Sequence, residues 1–198
     1  MKKIFIIICI FCCSINANAS KYFDLKINNI KIGESLLQYY THSEITKEIK
    51  YNLDFYKVYY DIDNTFVEIF FTTKNKIFKH SSFFIKPNDP DFIIYGLSGY
   101  TVYQNKIEKC YQYLSDQKII FDAYKNTEIF DEYDGAHPID PSGKSILRQL
   151  FYSTQLPNIT LELSCTDYDP SVQDYDLNKD YFGIYLYSDE VVNWFNGD

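Results

Sequence analysis

The sequence predicts an α+β domain: an antiparallel sheet covered on one face by a long helix, with short helices toward both ends. Three observations predict it. Runs rich in aromatic and β-branched residues cluster before and after one stretch of helical periodicity, instead of alternating with helices as a parallel sheet requires. The chain has 198 residues, 46% hydrophobic and 23% charged, which suits one ordinary domain and excludes disorder as the main state. No internal repeat and no Gly/Ser- or Pro-rich linker divides it.

The elements follow in order. Tyr22–Ile27 reads as a short strand, and Gly33-Glu34 leads into a helical turn over Ser35–Tyr40. Thr41-His42-Ser43-Glu44 has the spacing of a capping box and starts a helix to about Lys50. Tyr56, Val58, Tyr60 and Ile62 alternate as in a strand, and Asp63-Asn64 turns into Phe66–Thr73. Ile77–Ile85 and Phe92–Tyr103 read as further strands, joined by the turn Lys86-Pro87-Asn88-Asp89-Pro90. Asn105 caps a helix to Tyr124, with Glu108 at its third position. Asp131–Gly143 is polar and turn-rich. Asp140 then caps a predicted helix with Pro141 at its first position, running through Ile146-Leu147 toward Tyr152. Ile159–Cys165 alternates strictly, Phe182, Ile184 and Leu186 mark a last strand, and Ser188 caps a terminal helix carrying Val191, Val192 and Phe195.

The first nineteen residues read as an address. Lys2 and Lys3 precede an apolar run from Ile4 to Cys13, and Ala17-Asn18-Ala19 offers small residues where a signal peptidase cuts. The run is about half the roughly 20 residues of a spanning helix. A signal peptide over 1–19 and a single domain over 20–198 are therefore expected, in the periplasm or secreted. An uncleaved anchor and a lipoprotein are the alternatives, the second poorly served by Ile8, Phe11 and Cys12 before the cysteines.

Three of the five cysteines leave with that leader, so Cys110 and Cys165 are expected to form a disulfide in an oxidising compartment. Periodicity puts Cys110 on the apolar face with Ile107, Leu114 and Phe121, and Cys165 on the strand face of Ile159, Leu161 and Leu163. Two buried free thiols or a redox pair are the competing readings; the latter lacks CxxC spacing. The bond closes a loop of about 56 residues, worth roughly 4 kcal/mol.

The formal charge of −8 becomes −10 once Lys2 and Lys3 are removed, which argues against nucleic acid and anionic membranes as partners. Twenty Tyr and sixteen Phe reflect an AT-rich coding bias, and apparent aromatic motifs are discounted accordingly.

Each catalytic constellation lacks a member. Asp174, Asp176, Asn178 and Asp180 could converge on calcium with help from Asp167 and Asp169, but Lys179 stands where an EF-hand needs glycine and Tyr185 where it needs glutamate. Gly143-Lys144-Ser145 has Pro138 where a phosphate loop needs its first glycine, although a small anion could sit on the predicted helix start. Gly96-Leu97-Ser98-Gly99 ends in Tyr100, not glycine. Of His42, His80 and His137, the last is the best base, with Asp134 or Asp140 to orient it. The three histidines do not have zinc spacing. The acidic cluster Asp131, Glu132 and Asp134 offers paired carboxylates of the glycosidase kind, as any acidic chain does.

Ile32-Gly33-Glu34-Ser35-Leu36-Leu37, Gly99, Cys110, His137-Pro138, Asp140, Ser142-Gly143-Lys144-Ser145, Cys165-Thr166-Asp167 and Trp194 together resemble a group of small uncharacterised exported proteins of AT-rich alphaproteobacteria. In that group an IGDSLL-like start, an HPxDxSGKS-like segment and two cysteines recur. The resemblance implies no activity, but it directs attention to a binding segment of His137, Asp140, Ser142, Lys144 and Ser145, which otherwise reads as the turn launching the next helix. The start KIGESLLQYY is also similar to the opening helix of small envelope-assembly and inhibitor-like domains. The expected function is a non-catalytic binding or interaction domain of the cell envelope, monomeric or a small homo-oligomer, with no cofactor and an unknown protein or cell-wall partner. The alternatives are an extracytoplasmic hydrolase using His137 and Asp140, and calcium-dependent binding through Asp167–Asp180.

Overall fold

The computed structural model describes residues 25–60, 62–72, 78–103, 106–122, 127–138, 140–154, 158–171 and 179–197. Seven strands form one sheet: β1 (Val67–Thr72), β2 (His80–Ile85), β3 (Ile94–Val102), β4 (Thr127–Ala136), β5 (Ile146–Thr154), β6 (Ile159–Asp167) and β7 (Tyr181–Ser188). Their order is β1-β2-β3-β7-β6-β5-β4, with every neighbouring pair antiparallel. The helices among the described residues are α1 (His42–Asn52), α2 (Phe55–Tyr60), α3 (Ile107–Asp122) and α4 (Asp189–Asn196). The chain is thus an α+β protein with an antiparallel sheet, as its pattern predicts.

Strand alternation sorts side chains onto two faces. The first face carries Val67, Ile69, Phe83, Leu97, Leu161, Leu163, Phe182 and Leu186, all buried in one apolar core. Three pieces close it. α1 brings Ile45, with Tyr40 stacked on Phe71 at 3.7 Å. The turn around Ile27 and Ile30 covers β2 and β3. α3, sixteen residues long, contributes Cys110, Leu114 and Phe121. Cys110 is bonded to Cys165 on β6, with Cα atoms 5.9 Å apart. Arg148 lies 3.9 Å over the Tyr111 ring, so the outer part of α3 rests on β5.

The expected cover on one face alone is not met. α2 and α4 pack on the second face, where Phe66, Phe84, Val191 and Trp194 form a separate cluster with Tyr56 and Phe195 against it. The Trp194 indole donates to the Asp63 carboxylate at 2.9 Å, tying α4 to the chain before β1.

Capping signals located two helices well. Thr41 and Glu44 exchange both bonds of the capping box, and Ser188 accepts from the Val191 amide. Other expectations fail for physical reasons. The helix expected from Asp140 to Tyr152 is strand β5, because Arg148, Leu150 and Tyr152 serve one face and Leu147, Gln149 and Phe151 the other. Tyr56–Tyr60 is helical, not extended: a strand would have given Val58 the same face as Tyr56, whereas Val58 is 70% exposed. Asp131–Ala136 belongs to β4, an edge strand whose exposed acids meet Lys118 and Arg148 instead of following an apolar alternation. At the start, residues 25–30 make a tight turn on Asn28 and Asn29, both at positive φ, where a strand ending at Ile27 was expected. The leader, residues 22–24, Asn105, Tyr124 and Asp174–Asn178 lie outside the described residues. Among the described residues no helix is long and apolar enough to cross a membrane.

Candidate functional site

The segment singled out by sequence is the connection from β4 to β5. Its residues converge, but on one another. Asp140 Oδ1 accepts the Ser142 amide and Oδ2 the Ser145 amide, both at 2.8 Å. The Ser142 side chain first, then the Ser145 amide and side chain, hold its carboxyl well below the usual carboxylate range. Gly143 takes φ +70°, which lets the loop turn back. The His137 amide donates to the Ser145 carbonyl at 2.8 Å, and the Ser145 hydroxyl accepts from the Asp169 amide at 3.0 Å. His137, Asp140 and Ser145 are buried, whereas Ser142 and Lys144 are exposed. Burial pushes the imidazole of His137 below its ordinary value, against the pull of Asp140. Asp140 therefore works as a turn-maker, with both oxygens used by its own loop. The loop launches a strand, so the helix N-terminus needed for the small-anion reading does not exist here.

The remaining sequence candidates resolve similarly. Ser98 lies inside β3, fully buried, with its hydroxyl 2.5 Å from Ser82, so it is no exposed nucleophile. A Cβ on Gly99 would lie 2.5 Å from the Phe78 ring, so this glycine serves a close approach in the core. Asp134 pairs with Arg148 at 3.1 Å. Asp180 is buried, and its carbonyl accepts the Tyr103 amide at 2.7 Å. Among the described residues, no three His, Cys, Asp or Glu side chains are grouped to hold a metal; Asp174, Asp176 and Asn178 fall outside them.

The concentration of unusual chemistry lies elsewhere, on the second face of the sheet. Register brings it together: Ser82, Ser98, Tyr185 and Glu162 stand side by side across β2, β3, β7 and β6, with Tyr100 and Gly183 one row along. Glu68 on β1 is buried and accepts hydrogen bonds from Tyr56 Oη at 2.6 Å, from Ser82 Oγ, and from Tyr100 Oη at 3.3 Å. Glu162 is also buried and accepts the Gln149 amide at 2.7 Å. Desolvation pushes the Glu162 carboxyl up to about 7; bonds from Gln149 and Tyr187 oppose it, and the Glu68 charge adds to it. Glu68 is raised by the same cause and restrained by its three hydroxyl donors. Burial and these carboxylates hold the Tyr100, Tyr185 and Tyr187 hydroxyls well above their ordinary range, so they stay protonated donors.

The tyrosine rings form the outer layer of this face. Tyr100, Tyr181, Tyr185 and Tyr187 are half-buried above groups that are fully buried. Tyr185 lies down over Gly183: its Cε2, Oη and Cζ come within 2.5, 2.7 and 2.8 Å of where a Gly183 Cβ would be. Tyr187 is nearly parallel to it, at 23° and 5.9 Å. Tyr100 stands upright against Tyr185, at 82° and 5.4 Å. The rings continue through Tyr181 and Tyr168 to His137, so the loop flagged by sequence borders this surface without forming its centre.

Alternation did signal this face, since Glu162, Ser164 and Thr166 interleave with Leu161, Leu163 and Cys165, and Tyr181, Tyr185 and Tyr187 with Phe182, Ile184 and Leu186. Polar positions on an antiparallel strand usually mean solvent. Here most of them lie beneath aromatic rings. No protein-family model, curated protein or solved structure matches the chain.

Proposed function

We propose that the chain is an exported, non-catalytic binding domain of the cell envelope, cleaved after Ala19, which meets its partner with the second face of its sheet. One observation carries the choice of surface: partly buried tyrosines are spread over buried, hydrogen-bonded carboxylates. Aromatic rings give large contact area at low conformational cost, and are enriched where proteins bind. The Lys2-Lys3 leader pattern and the bonded pair Cys110–Cys165 support an oxidising destination. The hydrolase alternative has less support, because Asp140 spends both carboxylate oxygens on its own loop.

Expression of the full chain in a Gram-negative host tests both parts. The expected product begins at Ser20, is released with the periplasm or medium, and is retained when mixed with an envelope fraction. Tyr185→Ala abolishes that retention, while Tyr51→Ala on α1, across the sheet, leaves it intact. Accumulation of a chain that keeps Met1 in the cytoplasm would sink the export reading. Retention indifferent to Tyr185→Ala would sink the surface, and turnover lost on His137→Ala would restore the hydrolase.

A further inference from the structure

We propose that the β4 edge of the sheet takes up a basic, extended segment of another protein as an added strand. The inference concerns a surface apart from the tyrosine layer and does not rest on it.

An open sheet has two edges, and here they differ. β1 is six residues long, its first three residues are buried, and Tyr40 just before α1 stacks on Phe71. β4 is ten residues long and pairs with β5 alone. Its Glu128 and the run from Phe130 to Asp134 are exposed. Phe130 is 60% exposed, with its ring 6.1 Å from Phe151 on the second face. A long edge that shows its backbone and an aromatic ring is a template for strand addition.

Ladder alternation says which backbone groups are offered. The His137 amide donates to the Ser145 carbonyl on the β5 side, so Glu132, Asp134 and Ala136 turn their backbone groups away from β5. The Glu132 amide agrees, since it donates to Asp131 Oδ1 at 2.9 Å. At the other end the Ala136 carbonyl accepts Tyr133 Oη at 2.6 Å. Between these two contacts, the Glu132 carbonyl and the Asp134 amide and carbonyl have no partner among the described residues. They are the donor and acceptors that a neighbouring strand would meet.

Charge names the occupant. β4 carries Glu128, Asp131, Glu132 and Asp134 and no Lys or Arg. Lys118 meets Glu132 and Arg148 meets Asp134, each at 3.1 Å, whereas Glu128 and Asp131 have no cation at pairing distance among the described residues. Both pairs are partly exposed, so they compete weakly with an incoming cation. These acids oppose pairing with β4 of a second copy, because like charges would stand opposite one another across the new ladder. A strand bringing lysine or arginine meets the reverse field. Glu132 and Asp134 stand on the α3 side, with Tyr133 between them on the other. A segment alternating basic and apolar residues therefore matches both sides, its apolar residues lying on Tyr133 and Phe130. An edge blunted only to avoid other strands has no use for so exposed a ring.

The test titrates the full chain, purified after export, with a short synthetic peptide alternating lysine and valine, while backbone amide NMR signals are followed. A second peptide has its lysine amides N-methylated, which keeps charge and side chains but removes the donors that would face Asp134. The first is expected to bind saturably and to protect the Asp134 amide from hydrogen exchange, and the second to bind about tenfold more weakly. Asp134→Pro removes the outward amide without touching the β5 ladder, and weakens the first peptide about tenfold; Asp134→Asn, which removes only charge, weakens it less. Protection is read in the wild-type chain, so it decides even where Asp134→Pro lowers the melting temperature. No binding of the first peptide overturns the proposal. Equal binding of the two peptides reduces it to charge attraction and overturns it as well. A dimer whose Asp134 amide is protected before any peptide is added assigns the edge to a second copy, with the same result. Tyr185→Ala should bind the peptide as the wild type does, so this outcome stands or falls apart from envelope retention. Peptide binding lost in Tyr185→Ala would place the segment on the tyrosine layer and overturn the edge.

Discussion

Gly99 and Gly183 sit in adjacent strands and face opposite layers, so one added methyl group separates the two sides of the sheet. At Gly99 the new Cβ would meet Phe78 Cγ at 2.5 Å and Ile27 Cγ2 at 2.9 Å, both locked in the apolar core. Gly99→Ala should therefore cost about 1–3 kcal/mol through overpacking. At Gly183 the obstacle is the far end of the Tyr185 side chain, not a ring locked in the apolar core, and Gly183→Ala should cost less than about 1 kcal/mol. Urea denaturation of the two variants checks the contrast; equal losses would mean that Tyr185 is as confined as Phe78. The role of Gly99 was not legible as a sequence, because Phe78 and Ile27 reach it from distant parts of the chain; at Gly183 the neighbour is only two positions on, but that its ring lies back over the glycine is a matter of the fold. Asp140 was legible as a polar residue in a turn. That its carboxylate serves the turn itself, not a substrate, follows only from the two amides that point at it.

At the scale of elements, the join between α3 and β6 was the best-read feature. Two independent periodicities put Cys110 and Cys165 on apolar faces, and both sulfurs are buried in the layer between helix and sheet. The same reasoning misjudged β5. Ile146-Leu147 and Leu150-Phe151 have the three- and four-residue spacing of a helix face, while in the strand Ile146 and Leu150 turn to one layer and Leu147 and Phe151 to the other. Periodicity cannot distinguish a helix with one apolar face from a strand buried on both. The disulfide gives a quantitative expectation at this scale. Cys110→Ser with Cys165→Ser removes a cross-link between positions 55 apart in sequence, and should lower the unfolding free energy by about 4 kcal/mol. Denaturation of the double variant, beside the wild-type chain with and without reductant, measures it. A loss below about 1 kcal/mol would mean that Leu114 and Phe121 dock α3 without the covalent tie.

For the whole molecule, the second face explains why function was harder to read than fold. The antiparallel, α+β character follows from local alternation, but Glu68, Ser82, Tyr100, Tyr185 and Glu162 come from five strands, joined by a strand order that places β7 between β3 and β6. No window of sequence contains that neighbourhood. It has a consequence for how the molecule responds to pH. Glu162 binds its proton more tightly folded, at about 7, than the ordinary 4.5 of an exposed glutamate. Between those values the folded state holds more protons than the unfolded one, so this residue makes stability fall as pH rises; the penalty is absent below about pH 4.5 and complete above about pH 7. Over the full interval the effect is on the order of 3 kcal/mol. His80 and His137, both lowered by burial, pull the opposite way as pH falls through the ordinary histidine range, so the raw profile mixes the two trends. Comparison with Glu162→Gln isolates the carboxyl, because the amide keeps the bond from Gln149 and never ionises. The variant should match the wild type within about 1 kcal/mol near pH 5 and gain on it by roughly 3 kcal/mol near pH 8. A difference that stays constant across that range would show that Glu162 is solvated in the folded chain, and that the tyrosine layer above it is open to water.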